Sequence, residues 1–146
     1  MDRRFDFQLK TDRIAFLSDY AHHPAELRES IRSLREVFNG RKLTGIFQPH
    51  LYTRTRDFYR DFADSLSLLD EVYITEIYPA REAPLPGVSS ELIYNELRPD
   101  MEKHLCRKEE VPALVEQGQF DVLAVLGAGD LDNYVPQLTE ILRPRA

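Results

Sequence analysis

Three short runs of strand character, residues 14–17, 43–47 and 120–126, each end in a polar or glycine-bearing turn and pass into a helical segment. Short apolar runs bounded by turn signals read as strands covered on both faces. After the first run, Leu27, Ile31, Leu34 and Phe38 mark one helical face and Arg28, Glu29, Arg32 and Arg35 the other. Pro24 suits the first turn of this helix, and Asn39-Gly40 stops it. After the second run, a helix over 55–69 carries Phe58, Phe62, Leu66 and Leu69 on one face. A third strand over 71–77, a proline-rich loop over 79–87, a helix opened by Ser89 or Ser90, and a shorter helix over 111–117 follow. The third run leads to a final helix over 131–142. Residues 3–10 alternate Phe5, Phe7, Leu9 against Asp6, Gln8, Lys10, the period of a half-exposed strand. Such alternation of strands and helices predicts βαβ units and an α/β domain with a mostly parallel sheet. A length of 146 residues suits one such domain.

Composition narrows the function classes. Lys+Arg is 19 against 25 Asp+Glu, a net charge of −6, which argues against a nucleic-acid partner. No apolar run approaches the roughly 18 residues of a membrane span, and the first residues lack a signal-peptide core. With one cysteine, Cys106, an internal disulfide framework and a cysteine-based zinc cluster are excluded. A cytoplasmic location is the expectation, with no membrane partner.

In open parallel sheets, ligands bind outside the carboxyl ends of the strands, and three loops place reactive side chains there. Asp19-Tyr20-Ala21-His22-His23-Pro24 leaves a strand and enters a helix N-terminus, where free N–H groups favour an anion. His50-Leu51-Tyr52-Thr53-Arg54-Thr55-Arg56 crowds a His, a Tyr and two Arg at another strand exit. Cations sit poorly against the positive end of a helix dipole, so these arginines suggest an anionic partner. Gly127-Ala128-Gly129-Asp130 lets a ligand approach the backbone, but it is only part of a dinucleotide fingerprint, because Asp132 stands where the last glycine belongs. A tight turn with surface histidines is the bland alternative for the first loop, and a tight strand–helix turn for the third. Their convergence on one sheet edge favours a site.

A zinc site from His22, His23, His50 and His104 has no supporting spacing, so no metal site is expected. Cys106 reads as a buried apolar residue. No GxxxxGK[ST] loop is present, so the chain has no evident grip on nucleotide β- and γ-phosphates. If it serves ATP chemistry, it supplies part of a site.

Ser18-Asp19-Tyr20-Ala21-His22-His23-Pro24, Phe47-Gln48-Pro49-His50-Leu51-Tyr52-Thr53-Arg54-Thr55 and Leu126-Gly127-Ala128-Gly129-Asp130 together resemble the C-terminal domain of the Mur ligases. Arg3-Arg4-Phe5 and Pro84-Leu85-Pro86-Gly87-Val88-Ser89-Ser90 fit the same pattern, so the resemblance covers nearly the whole chain. It implies a Rossmann-like three-layer domain, with an antiparallel edge strand, that closes as a lid over two further domains. One of those binds the UDP-sugar and the other carries the P-loop. The implied chemistry joins L-alanine to UDP-N-acetylmuramic acid in peptidoglycan precursor synthesis. An acyl phosphate is made with ATP and Mg, both held mainly by the central domain and neither tightly by this one.

On this resemblance Asp19 matches the residue expected near the ATP ribose. Tyr20, His22, His50 and Arg54 match positions lining the amino-acid and intermediate pocket, and His23, Tyr52, Gly127 and Gly129 lie in loops near the ligand. Ser18 stands where many members have Asp, and Leu51 where some have Arg, which shifts weight to Arg54. The isolated domain is expected to be inactive. Three alternatives stay open: a stand-alone binding or regulatory module for a small anionic metabolite, the equivalent domain of the related tripeptide ligase, and an independent phosphate-handling enzyme.

Overall fold

The computed structural model describes residues 5–146; Arg3 and Arg4, which the sequence reading places in the first strand and in the family pattern, lie outside the described residues. Six strands form one sheet in the order β1-β2-β6-β3-β4-β5. β1 (Asp6–Lys10) runs antiparallel to β2 (Ala15–Asp19) at one edge. β6 (Val122–Leu126) lies between β2 and β3 (Leu43–Phe47), parallel to both. β4 (Glu71–Ile74) and β5 (Glu102–Leu105) extend the parallel part to the other edge. The α/β class, the mostly parallel sheet and the antiparallel edge strand are therefore as expected.

Strand side chains alternate between two apolar clusters, because successive residues of a strand point to opposite faces. On one face Ala15, Leu17, Leu43, Phe47, Val122 and Leu126 pack with the helices α1 (Pro24–Val37), α2 (Tyr52–Leu66) and α3 (Glu91–Glu96). On the other, Phe16, Ile46, Leu123 and Val125 pack with α4 (Val111–Gln117) and α5 (Val135–Leu142). The three central strands, β2, β6 and β3, are buried throughout, which explains their apolar composition. The layers are thus helix, sheet, helix.

Several boundaries differ from the sequence reading. The third strand stops at Ile74 rather than continuing to residue 77. α2 begins at Tyr52 rather than Thr55, for a reason given below. Residues 131–134 belong to a 3-10 turn (Asp130–Tyr134), and α5 starts at Val135, with Pro136 in its first turn where the missing N–H costs nothing. β5 went unread, because Glu-Lys-His-Leu shows neither an apolar run nor a clean alternation. Cys106 is partly rather than fully buried; it packs against the second cluster, and burial pushes its thiol up to about 11.

Candidate functional site

The three loops meet at the carboxyl ends of β2, β6 and β3, as parallel register requires: Asp19 and Phe47 both lie opposite Leu126. Gly127 N–H donates to the Asp19 carbonyl at 3.1 Å, joining the first loop to the third. Gly127 has φ of +126°, and a Cβ there would stand 2.8 Å from the Gln48 carbonyl oxygen. Only glycine takes that conformation at so close an approach. Gly129 likewise abuts the Gln48 side chain. The third loop thus serves first as a packing surface for the second.

Gln48, buried at the end of β3, ties these loops together. Its Nε2 donates to Asp130 Oδ1 at 2.8 Å and its Oε1 accepts from Leu131 N–H at 2.9 Å. Lys108 reaches Asp130 Oδ2 at 2.5 Å. Burial raises the Asp130 pKa, but the Lys108 ammonium and Gln48 amide outweigh that and hold the carboxyl below its usual range. Lys108 was missed in the sequence, since no motif links it to residue 130.

In the first loop, Asp19 is buried, and its Oδ1 accepts from Ala21 N–H at 2.9 Å, which turns the chain sharply away from β2. His22 N–H and His23 N–H both donate to Glu26 Oε1, at 3.2 and 3.1 Å. These bonds close the N-terminus of α1 with a residue of its own first turn. Burial works against the Glu26 charge, but the two N–H donors and the histidines win and lower its pKa. The Glu26 carboxylate thus lies against the backbone immediately before the helix. Tyr20 is 65% exposed and its hydroxyl donates to Asp132 Oδ2 at 3.2 Å, so the Asp132 charge raises its pKa.

The second loop supplies the pair that gives the site its character. Arg54 Nη1 lies 3.0 Å from His50 Nδ1. A guanidinium can only donate, so Nδ1 is the bare acceptor and Nε2 carries the proton of a neutral ring. Burial, then the Arg54 charge, then His22 hold the His50 pKa below its ordinary value, with Glu82 pulling weakly the other way. His50 stacks on Tyr78 with centroids 5.6 Å apart and meets His22 edge-on at 6.2 Å. His22 in turn packs against His23 at 4.7 Å. His22 Nδ1 lies 3.0 Å from the Tyr20 carbonyl, which can only accept, so Nδ1–H donates to it and Nε2 is left at the outer edge of the ring. The rim therefore offers the His22 ring edge, the His50 Nε2–H and the remaining N–H groups of Arg54. That set complements a small ligand with an amine and a carboxylate.

Of the expected site residues, Asp19, Tyr20, His22, His23, His50, Arg54, Gly127 and Gly129 all lie at this edge. Tyr52 lies in the first turn of α2 and faces a cavity of about 460 Å³ shared with Thr75, Ser90 and Cys106, to one side of the histidines. The reading that Arg54 and Arg56 point to an external anion is corrected for the helix terminus itself. Glu82, from the loop after β4, accepts from Tyr52 N–H at 2.6 Å and from Thr53 N–H at 3.1 Å, and Arg56 pairs with Asp57 at 2.9 Å. This remote cap lets α2 begin at Tyr52.

His104 lies in β5 on Glu71, at 2.8 Å, so the four histidines are not gathered. Among the described residues no group of three or more His, Cys, Asp or Glu side chains is placed to hold a metal ion. No helix among the described residues is long and apolar enough to cross a membrane.

Residues 3–129 match the family model described as Mur ligase, glutamate ligase domain. The UDP-N-acetylmuramate–L-alanine ligase of Phocaeicola vulgatus is 60% identical over 99% of this chain and 32% of its own length. That of Parabacteroides distasonis is 58% identical over 96% of the chain and 30% of its own length. The crystal structure of the UDP-N-acetylmuramate–alanine ligase from Thermotoga maritima superposes with a TM-score of 0.77 at 27% identity, covering 99% of this chain and 30% of that one. The chain spans about a third of the length of these relatives. With a family model matched over most of its residues and this fold, the chain belongs to the Mur ligase family.

Proposed function

We propose that this chain is the amino-acid-binding lid domain of an ATP-dependent ligase that joins L-alanine to UDP-N-acetylmuramic acid, with the UDP-sugar and ATPase domains supplied by the rest of a longer protein. The reading rests on one observation above the others: the neutral His50 bonded to Arg54 at 3.0 Å, with His22 edge-on beside it, on the ligand-binding edge of the sheet. The names and identities of the relatives support the choice of alanine over a tripeptide.

In this reading Arg54 takes the alanine carboxylate with the N–H groups that His50 does not use. The His50 Nε2–H assists at the same carboxylate or at the oxygen that gains charge as the amine attacks. His22 Nε2 accepts a proton from the ammonium, leaving the amine free to attack an acyl phosphate. Asp19 lies toward the nucleotide, and Tyr20 lines the amino-acid pocket. The chain's contribution is orientation of a small zwitterion, which by itself accounts for a large part of a two-substrate rate enhancement. ATP and its metal belong to the central domain.

Arg54→Ala in the full-length ligase removes a charge-assisted bond worth about 1.5–3 kcal/mol. The expected result is a roughly tenfold to hundredfold loss of kcat/KM for L-alanine, with the KM for ATP close to normal. Unchanged alanine kinetics would refute the assignment.

A further inference from the structure

We propose that Glu82 is a positioning residue for the His50–Arg54 pair, acting across the loop after β4 without meeting substrate itself. This rests on the reading of that pair given above. The geometry is a splint. Tyr78 N–H donates to the Pro49 carbonyl at 2.8 Å, and Leu51 N–H donates to the Tyr78 carbonyl at 2.9 Å. His50 and Tyr78 form a parallel bridge, and the Tyr78 ring stacks on His50 with planes 12° apart. Four residues on, Glu82 is brought back by a turn in which its N–H donates to the Pro79 carbonyl at 2.9 Å. Its carboxylate then takes Tyr52 N–H and Thr53 N–H, while the Thr53 hydroxyl donates to Oε2 at 2.5 Å.

Two residues in the region adopt a backbone that side chains disfavour: Leu51 with φ of +76° and Ala80 with φ of +53°. Non-glycine residues hold such conformations only where the surroundings determine them. Here the surroundings are the splint. Leu51 is the residue before α2, so the direction in which the helix leaves it decides where Arg54, in the first turn, projects. The helix end is closed by a carboxylate 29 and 30 residues away in sequence rather than by a residue at the cap position itself. Releasing Glu82 frees the first turn of α2, and with it Arg54.

Glu82 also contributes charge. The groups facing His50 are Arg54 from α2, His22 from the first loop, Tyr78 stacked on its ring, and Glu82. Of these, Glu82 alone favours the protonated ring. Its removal therefore moves His50 further below its ordinary value.

The experiment compares Glu82→Gln, Glu82→Ala and Arg54→Ala in the full-length ligase, measuring kcat and KM for L-alanine against pH. Glu82→Ala is expected to raise the KM for L-alanine on the order of tenfold, the scale of a modest misplacement of a binding group. The KM for the UDP-sugar stays unchanged. Glu82→Gln keeps an oxygen for the two N–H donors but loses the charge. It raises the KM less, and it moves the acidic limb of kcat/KM to lower pH. If Glu82→Ala fails to fold by circular dichroism, the Glu82→Gln limb decides alone. Glu82 variants with wild-type KM and an unmoved acidic limb, beside an impaired Arg54→Ala, overturn the positioning role and leave the function standing. Wild-type behaviour in Arg54→Ala overturns the functional reading instead.

Discussion

Single residues carry the sharpest consequences at the ligand edge. Gly127 combines a left-handed φ with a backbone oxygen 2.8 Å from any added Cβ. Gly127→Ala is expected to lose about 1–3 kcal/mol of unfolding free energy, by the usual scale for backbone strain. A urea titration reads this as a lower midpoint at unchanged slope. His50 gives a pH signature. Its folded-state pKa is depressed, so below its unfolded value near 6.5 the unfolded chain binds the extra proton and the folded chain does not. Stability from this residue is fully present at neutral pH and falls as pH drops through 6.5. A His50→Gln variant is expected to show a shallower decline of Tm between pH 7 and 5.5, read by differential scanning calorimetry. Not all of these roles were legible beforehand. His50 and Arg54 sit in a dense local motif, whereas Glu82 lies in a proline-rich loop and Lys108 in a charged stretch. Neither carries a local signal, because each acts across a fold that brings distant segments together.

At the level of elements, the helices and buried strands follow from apolar periodicity, and the discrepancies have one cause: partners remote in sequence. α2 starts early because its cap comes from residue 82. β5 forms from Glu102-Lys103-His104-Leu105 because an edge strand needs only one neighbour, here β4, and is free to be polar. The opposite end of the sheet is clamped in the same remote manner. Arg35 on α1 donates to both oxygens of Asp70 at 3.0 Å and to the Leu68 carbonyl, while Asp70 Oδ2 also accepts from Leu43 N–H at 2.7 Å. One carboxylate thereby joins α1, the start of β3 and the turn into β4. Burial opposes its charge, but Arg35 and the Leu43 N–H prevail and lower its pKa. Its contribution is present above the ordinary aspartate value near 3.8 and is lost as pH falls below it. Both partners are more than a third exposed, so screening limits the effect. Asp70→Ala is expected to cost about 1–2 kcal/mol at pH 7 and nothing further in strong acid, measured by chemical denaturation at both pH values.

The whole molecule is a helix–sheet–helix sandwich whose candidate ligand edge offers histidines, an arginine and glycine-bounded turns. The α/β class and the gathering of the three loops at one edge could be inferred from the order of strands and loops, since parallel register sends the carboxyl ends of the parallel strands the same way. What periodicity leaves open is which loop residues face a ligand and which, like Glu26 and Gly129, face their own chain. If the domain works as a lid, the 146-residue chain supplied with ATP, magnesium, L-alanine and UDP-N-acetylmuramic acid should release no phosphate above background. A coupled phosphate assay checks this, and turnover by the chain alone would call for a different account of the site.

The position of β6 has a consequence for biosynthesis. The last strand in chain order stands third in the sheet, wedged between two that are made early. Until Leu126 has been added and that segment has cleared the ribosome, β2 and β3 have no common neighbour. The nascent chain then exposes two half-sheets with greasy open borders. The domain's centre therefore assembles only once its last strand is free, and any truncation before Val122 should yield a chaperone client rather than a smaller working fold.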